Sequence, residues 1–439
     1  MATLEQILDN REERVRHQEE LLDLFESTLI SFTMNMPGSE KNSPLIEDGF
    51  NKGLFLISTM LDFYGIDTIN FEEVRAVTGP EGFFSVDGDA VTVKKLMSAI
   101  ETAFPVGRLF DIDVFHKTGE KVSRSDIGRG PRKCLICDRD ARECARTHAH
   151  TYEKLVATAT GLLEEAVSDD RSAEIADLAI LSLILEASTT CKPGLVDLRN
   201  NGSHKDMDFF LLCESAASLY EYFKACAATR DFGDLRELGI KAEETMLKAT
   251  GGVNTHKGIV FIFALLLSAI GETEGDDIHD SSLILDRAGE KVKGITAADF
   301  KNVTLENAKT AGERFYAEFG ITGIRGQAEM KFPGVRSLAI PVISTLLKEG
   351  YSLNDAGRIA LLHIIAGTDD TNMIKRGGME TAKKARDRIL RLLCDNNMPT
   401  DEELNELDDE FISLNLSPGG SADLLSAAYL LCLCDNFLS

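Results

Sequence analysis

Beyond about residue 165, apolar positions recur at three- and four-residue intervals, the period of a helix face laid on a core. Helices are predicted over Ser172–Thr189, Asp208–Thr229, Asp234–Ala249, Gly258–Ile270, Leu305–Glu318, Ser337–Gly350, Asn354–Ile365, Met379–Cys394, Asp401–Leu414 and Ser421–Leu438. No strand-like alternation interrupts them, and the breaks are short polar loops that carry glycine. This stretch reads as all-α. The first half mixes two periods. Ile7, Leu8, Leu21, Leu22, Leu24 and Phe25 fall at helical spacing within Leu4–Ser31, and Val91–Thr102 is helical too. Ser31–Met36, Phe83–Val86 and Arg108–Phe115 read as short strands between Gly/Pro turns. That half is α+β. Tyr152–Asp170 is expected to be a connecting helix, and the turn Ser168-Asp169-Asp170-Arg171 sets domains over 1–168 and 169–439.

Length supports two domains, because 439 residues exceed what one core ordinarily holds. The longest apolar run, Gly258 to Ile270, is shorter than the ~20 residues of a membrane span and reads as a buried helix. The N-terminus leads into an Arg/Glu-rich helix rather than an apolar leader. A cytoplasmic protein with no membrane association is therefore expected. A net charge of −25 disfavours a nucleic-acid partner, since a uniformly acidic surface repels phosphate backbones. It leaves room for a small phosphorylated ligand held by a local cluster of basic groups and Mg²⁺. The nine cysteines are odd in number, with three crowded into Cys134–Cys144. The other six lie in apolar or helical surroundings and read as small core residues.

Three constellations stand out in the first half. In Gly107-Arg108-Leu109-Phe110-Asp111-Ile112-Asp113-Val114, a strand would turn Asp111 and Asp113 to one face and Ile112 and Val114 to the other. Paired carboxylates suit Mg²⁺ holding a triphosphate; two unrelated surface aspartates would look the same. In Thr33–Ser43 a strand runs into Pro37-Gly38 and Lys41, which suits phosphate contact, though a plain surface turn has the same composition. Cys134-x2-Cys137-x6-Cys144 with His148 and His150 after it matches a closed Cys₃His structural Zn²⁺ site, against a cluster of metal-free thiols. Arg11, Arg14 and Arg16 follow a helical stripe and read as a solvated face.

In order, Arg11-Glu12-Glu13-Arg14-Val15, Thr33–Ser43, Gly107–Val114 and Cys134–His150 resemble the holo-citrate-lyase synthase family, the apo-citrate-lyase phosphoribosyl-dephospho-CoA transferases. The resemblance covers about residues 1–155 and implies a nucleotidyltransferase-like domain. Its activity would be transfer of phosphoribosyl-dephospho-CoA from the triphosphate to a serine of the apo citrate lyase acyl carrier subunit, releasing pyrophosphate. Asp111 and Asp113 would hold Mg²⁺, Arg108 and Lys41 would add positive charge, and His150 would be the fourth ligand beside the cysteines. Arg124, Arg129, Arg132 and Lys133 would form a basic dock for an acidic carrier.

The second half carries four polar loops beside apolar helices. Lys192–Asp208 contains Pro-Gly and Asn-Gly breaks, and a helix starting near His204 would put His204 and Asp208 on one face. The plainer alternative is helix capping by Ser203. Thr250-Gly251-Gly252-Val253-Asn254-Thr255-His256-Lys257-Gly258 is a Gly-rich turn at a helix N-terminus, suited to an anion, but without the Walker A ending. Gly367–Asn372 and Ser417–Asp423 complete the set. Convergence of Asp197, His204, Asp208, His256, Asp369 and Asp423 at one end of a bundle is expected. The same loops look like the triphosphoribosyl-dephospho-CoA synthase family over roughly 172–439, with Gln327 standing where glutamate is expected in Gly323–Glu329. That resemblance implies joining of ATP to 3′-dephospho-CoA through the ribose C1′, with loss of adenine. Asp206, Asp208, Asp369 and Asp370 become candidates for metal or base. Lys192, Arg199, His256 and Lys257 become candidates for phosphate, with His204, Asn254 and Asp423 also at the substrate.

The whole chain thus resembles a fusion of the two enzymes, making a prosthetic group and attaching it. Three rivals remain: the equivalent pair serving malonate decarboxylase, a zinc-stabilised interaction scaffold without catalysis, and a nucleic-acid nucleotidyltransferase, which the charge opposes.

Overall fold

The computed structural model describes residues 2–137 and 139–438, which fall into two compact units, Met1–Asp169 and Asp170–Ser439. In the first, the order is α1 (Leu4–Phe25), β1 (Thr28–Met34), α2 (Pro44–Tyr64), β2 (Thr68–Ala76), β3 (Gly79–Val86), α3 (Ala90–Ala103), β4 (Phe110–Phe115), α4 (Ala141–Arg146) and α5 (Tyr152–Ala166). The strands form one antiparallel sheet in the order β2-β3-β1-β4.

Alternation along the strands decides the layers. Ile30, Phe32, Ile112 and Val114 turn to one face and are fully buried. Phe32 there stacks on Phe50 of α2 and meets Phe110 edge-on. The opposite face is polar. The register sets Asp111 beside Thr33 and Thr33 beside Glu81, with Asp113 beside Ser31 in the next row. Helix α1 covers part of this face.

Helix α1 stops at Phe25 rather than Ser31, because Glu26 takes a left-handed conformation (φ 48°) and the β-branched Thr28 and Ile30 continue as strand. Helix α2, capped by Ser43 with Pro44 in its first turn, and the edge strand β2 were not anticipated. Strand β2 buries almost nothing, so its apolar positions give little alternation to read.

The second unit is helical: α6 (Arg171–Ser188), α7 (Phe209–Ser218), α8 (Tyr220–Ala228), α9 (Phe232–Ala249), α10 (Lys257–Gly271), α11 (Ser281–Glu290), α12 (Ile295–Asp299), α13 (Ala311–Phe319), α14 (Gly323–Glu329), α15 (Ile340–Lys348), α16 (Leu353–Gly367), α17 (Thr371–Asp395), α18 (Asp401–Ser413) and α19 (Gly419–Phe437). Helices α6, α10 and α19 are apolar almost all round and form the centre, as such helices must. The predicted helix Asp208–Thr229 is two helices that break at Leu219. Helix α17 begins eight residues before Met379: Asp370 caps it, and Gly378 (φ 79°) interrupts it. Among the described residues no helix is long and apolar enough to cross a membrane.

Candidate functional sites

In the first unit, α1 sends polar side chains down onto the polar sheet face. Arg14 Nε donates to Glu81 Oε1 at 2.8 Å, and Asn10 Nδ2 donates to the same oxygen at 2.6 Å. Gln18 Nε2 donates to Ser31 Oγ at 2.8 Å in a buried contact. The arginine stripe is therefore not simply solvated, since Arg14 pairs with a buried glutamate. Lys41 Nζ donates to the carbonyl of Met36, and burial, then the nearby Arg11, holds its ammonium below the usual lysine range. The Lys41 loop thus faces the N-terminal half of α1.

Asp111 and Asp113 do share one face of β4. Asp113 Oδ2 lies 2.6 Å from Lys121 Nζ, and Asp111 Oδ1 lies 3.8 Å from Arg132, while both keep exposed surface. Beneath the strand, Glu101 is buried, accepts from the Ile112 N–H and from Arg132, and is pushed up by burial. Lys94, also buried, donates to the Ile112 carbonyl. Arg108 is placed elsewhere than expected: its guanidinium donates to the Cys134 carbonyl, so it braces the cysteine loop instead of pointing at a phosphate.

That loop gathers Cys134, Cys137, Cys144 and His150 with all four ligand atoms within 4.8 Å of one another. Cys137 and Cys144 sulfurs are 3.5 Å apart, and His150 Nε2 is 3.2 Å from Cys137 Sγ. His148 is exposed and takes φ 46°. Arg132 and Arg124, expected at a carrier dock, instead pair with buried Glu101. Their charge serves the interior first.

In the second unit, the loops converge on a cavity of about 710 Å³. That volume is in the range of small-molecule sites. Lys192, His204, Asp206, Asn254, His256, Lys257, Asp369, Asp370 and Asp423 all line it. Asp197, Arg199 and Asp208 do not. Asp208 is the exposed N-cap of α7, accepting from Leu211 N–H at 2.8 Å, so the helix starts only after Asp208 and the expected shared face with His204 does not exist. Arg199 is exposed and directed to Cys191 and Asn405. Asp197 is buried and accepts from the N–H groups of Lys192, Arg199 and Asn200, closing its own loop.

The Lys192–Ser203 loop is fixed from outside. Asp408 of α18 accepts from Gly194 N–H and from Asn200 Nδ2, both at 2.8 Å. Gly194 (φ 67°) packs so tightly that a Cβ would meet the Leu416 carbonyl at 2.2 Å, so only glycine fits there.

The cavity has an acidic floor and a basic surround. Lys192 Nζ is fully buried, 2.6 Å from Glu186 Oε1, and Glu186 itself is pushed up by burial against the pull of Lys192. Asp370 is fully hydrogen-bonded, accepting from Asn372, Met373 and Ser421 N–H groups and from Ser421 Oγ. Asp369 reaches Arg386. Asp423 is pushed well above the carboxylate range by burial, then by Glu186 and Asp370. His204 Nε2 is 2.8 Å from Ser417 Oγ and its Nδ1 is 3.2 Å from Arg376. Burial and Arg376 depress it to about 4. His256 Nδ1 is 2.7 Å from Ser215 Oγ, and burial with Lys192 also holds it at about 4. Both imidazoles are neutral at pH 7.

Glu186, Lys375 and Arg376 line the cavity without having been singled out. Glu186 directly follows the almost wholly apolar stretch Leu178–Leu185 of α6, where an acid is itself a signal. Gln327, the departure from the family pattern, is at the wall, and its Oε1 accepts from Gly334 N–H.

Residues 172–438 match the family model for CitG, the ATP:dephospho-CoA triphosphoribosyl transferases. Residues 2–166 match that for CitX, the apo-citrate lyase phosphoribosyl-dephospho-CoA transferases. Protein CitXG of Haemophilus influenzae is 35% identical over 449 residues, covering 97% of this chain and 94% of that protein. The chain belongs to the CitXG family. A second CitXG, from Leuconostoc mesenteroides subsp. cremoris, is 34% identical over 96% of this chain and 95% of its own length. The "Probable 2-(5''-triphosphoribosyl)-3'-dephosphocoenzyme-A synthase" of Salmonella gallinarum is 36% identical over 281 residues, 61% of this chain and 92% of that protein. This chain thus joins parts that match two separate transferase families, the CitX part first.

Proposed function

We propose that the helical unit joins ATP to 3′-dephospho-CoA in the 710 Å³ cavity and that the α+β unit passes the product to the apo citrate lyase acyl carrier subunit on its polar sheet face. The chain is a bifunctional transferase that makes and attaches the citrate lyase prosthetic group. The observation that carries the first assignment is the cavity's charge layout, with carboxylates and the Lys192–Glu186 pair at the floor and Lys257, Lys375 and Arg376 around them.

The chemistry asks for that layout. When adenine leaves C1′ of ATP, positive character develops on the ribose, and carboxylates in a water-poor floor stabilise it. The triphosphate stays intact and needs basic groups at a distance from C1′. Neutral His204 and His256 serve as hydrogen-bond partners here rather than as counter-charges. Asp206 and Asn254 border the same space, and Asp369 and Asp370 hold its wall through Arg386 and Ser421.

In the transferase unit, the carrier serine oxygen attacks the α-phosphorus of the triphosphate, and pyrophosphate leaves. The half-exposed Asp111/Asp113 pair fits a divalent cation on a nucleotidyltransferase-like face, and bound Mg²⁺ would neutralise the triphosphate there. Arg14, Arg11 and Lys41 border the same face from α1 and its neighbouring loop. The cysteine loop fits zinc by chemistry and spacing: ligands about 2.0–2.3 Å from a tetrahedral ion stand roughly 3.5–3.8 Å apart. Cys134, Cys137, Cys144 and His150 would hold structural Zn²⁺, which fixes the loop.

The test is chromatography of the chain incubated with ATP, 3′-dephospho-CoA and Mg²⁺. Adenine release that depends on dephospho-CoA is expected, followed by labelling of apo carrier when it is added. A folded chain that releases no adenine would remove the synthase assignment.

A further inference from the structure

Seven carboxylates border the cavity or its loops, and the structure disposes of six, Asp197 by closing its own loop. Asp208 caps α7, and Asp370 caps α17 while also accepting from Ser421. Asp369 is tied to Arg386, and Glu186 to buried Lys192. Asp206 is exposed at the mouth, 3.9 Å from His204. Asp423 remains. It lies in the first turn and a half of α19, faces the cavity, and among the described residues no hydrogen bond or ion pair reaches it. Its neighbours are Glu186 and Asp370, whose charges raise it, and the start of α10. There Gly258 offers a bare backbone, and a Cβ in its place would stand 1.8 Å from Asp423 Oδ2. A half-buried carboxylate that faces the cavity, lacks a partner and is accommodated by a missing side chain is held for a purpose.

We propose that Asp423 is the general base of the synthase reaction, taking the proton from the acceptor hydroxyl of 3′-dephospho-CoA as that oxygen bonds to C1′ of ATP. The proposal rests on the cavity being the synthase site. The bond that forms is O–C1′, and the bond that breaks is C1′–N9, its electron pair leaving with adenine. The hydroxyl proton goes to the Asp423 carboxylate. Adenine takes up one proton from Asp423 or from solvent, and Asp423 returns to its ionised form. No proton or electron is gained or lost overall. A carboxylate whose proton affinity is raised by its surroundings is a stronger base toward an alcohol proton than an ordinary surface carboxylate. Glu186 and Lys192 act as positioning residues: they define the floor against which Asp423 is set and already satisfy each other.

The test uses the full chain and follows adenine release. Asp423→Asn keeps shape and removes basicity, and since the carboxylate has no partner to lose, the fold is expected to stand. The expected result is a fall of about 10²–10⁴-fold in adenine release, with ATP binding by equilibrium dialysis within about threefold of wild type, the scatter such a measurement carries. Asp423→Ala should recover rate in proportion to added formate, a small external base. An ATP analogue methylated at purine N7, whose base leaves without a proton, should not restore Asp423→Asn. Full activity in Asp423→Asn, or its restoration by the N7-methylated analogue, would overturn the base assignment. A wild-type chain that releases no adenine would instead defeat the reading of the cavity. Attachment of pre-made precursor by the variants reports that the rest of the chain is intact.

Discussion

Replacing Gly258 by alanine separates packing from catalysis at the cavity floor. The new Cβ would begin 1.8 Å from Asp423 Oδ2, whereas ordinary contact starts at 3.4 Å, so the carboxyl must retreat by the difference. The clash is with the end of a side chain that can rotate, so the strain is at or below the ~1–3 kcal/mol typical of overpacking. Alanine in a helical first turn returns about 0.5–1 kcal/mol over glycine. Net stability should therefore change by less than about 2 kcal/mol, a shift of only a few degrees in Tm for a unit of this size. The effect on rate is far larger. A displacement of about 1 Å at a reacting group costs on the order of 10²-fold, and the retreat here exceeds that. Thermal denaturation followed by circular dichroism, with adenine release measured on the same preparation, gives both numbers. A near-wild-type rate in Gly258→Ala would refute the reasoning. So would a loss of rate that merely follows a large fall in Tm.

Other consequences are as direct. Arg132→Ala leaves Glu101 buried beside Lys94 and Arg124 only, so the first unit should lose up to about 3 kcal/mol, the low end for a broken buried pair; a denaturant midpoint equal to wild type would show that the pair carries no such weight. Purified chain should hold one zinc by elemental analysis, lost in Cys144→Ser together with several degrees of Tm, and equal metal in both would reject the four-ligand site. His204 and His256 titrate at about 4 folded against about 6.5 unfolded. Their contribution is therefore present above pH 6.5 and lost as pH falls toward 4, each on the order of 3 kcal/mol. Urea unfolding at pH 7 and pH 5 should show the drop, with His256→Gln flattening it; a pH-independent midpoint would contradict the burial of both rings.

Much of this was readable before any coordinates. Helical periodicity located most of the second unit because α6, α10 and α19 bury wide faces, and width is what a pattern registers. The loops that line the cavity were recognisable by their Gly, Asn and charged residues. What could not be read was the direction of each side chain. Asp208 and Asp423 look alike in the sequence; one caps a helix at the surface and the other faces the cavity, and only the helix starts decide which. Arg108 looked like a cation awaiting a phosphate, and Arg132 like part of a dock for an acidic carrier. Their partners, the Cys134 carbonyl and Glu101, lie 26 and 31 residues away, beyond any local pattern. Strand β2 escaped notice because an exposed edge strand buries too little to leave an alternating signature.

The helical unit closes on itself across its whole length. Thr189, at the end of α6, is hydrogen-bonded to Tyr429 of α19, 240 residues on, and the Ser203 hydroxyl reaches the Leu416 carbonyl 213 residues on. Asp423 belongs to that last helix. A nonsense codon just before Gly419 would thus remove Asp423 and one of the central helices packed on α6 at a stroke, while every residue of the first unit would already have been translated. Such an allele should abolish synthesis of the group yet spare its attachment. It should complement, in the same cell, a second allele damaged only in Asp111.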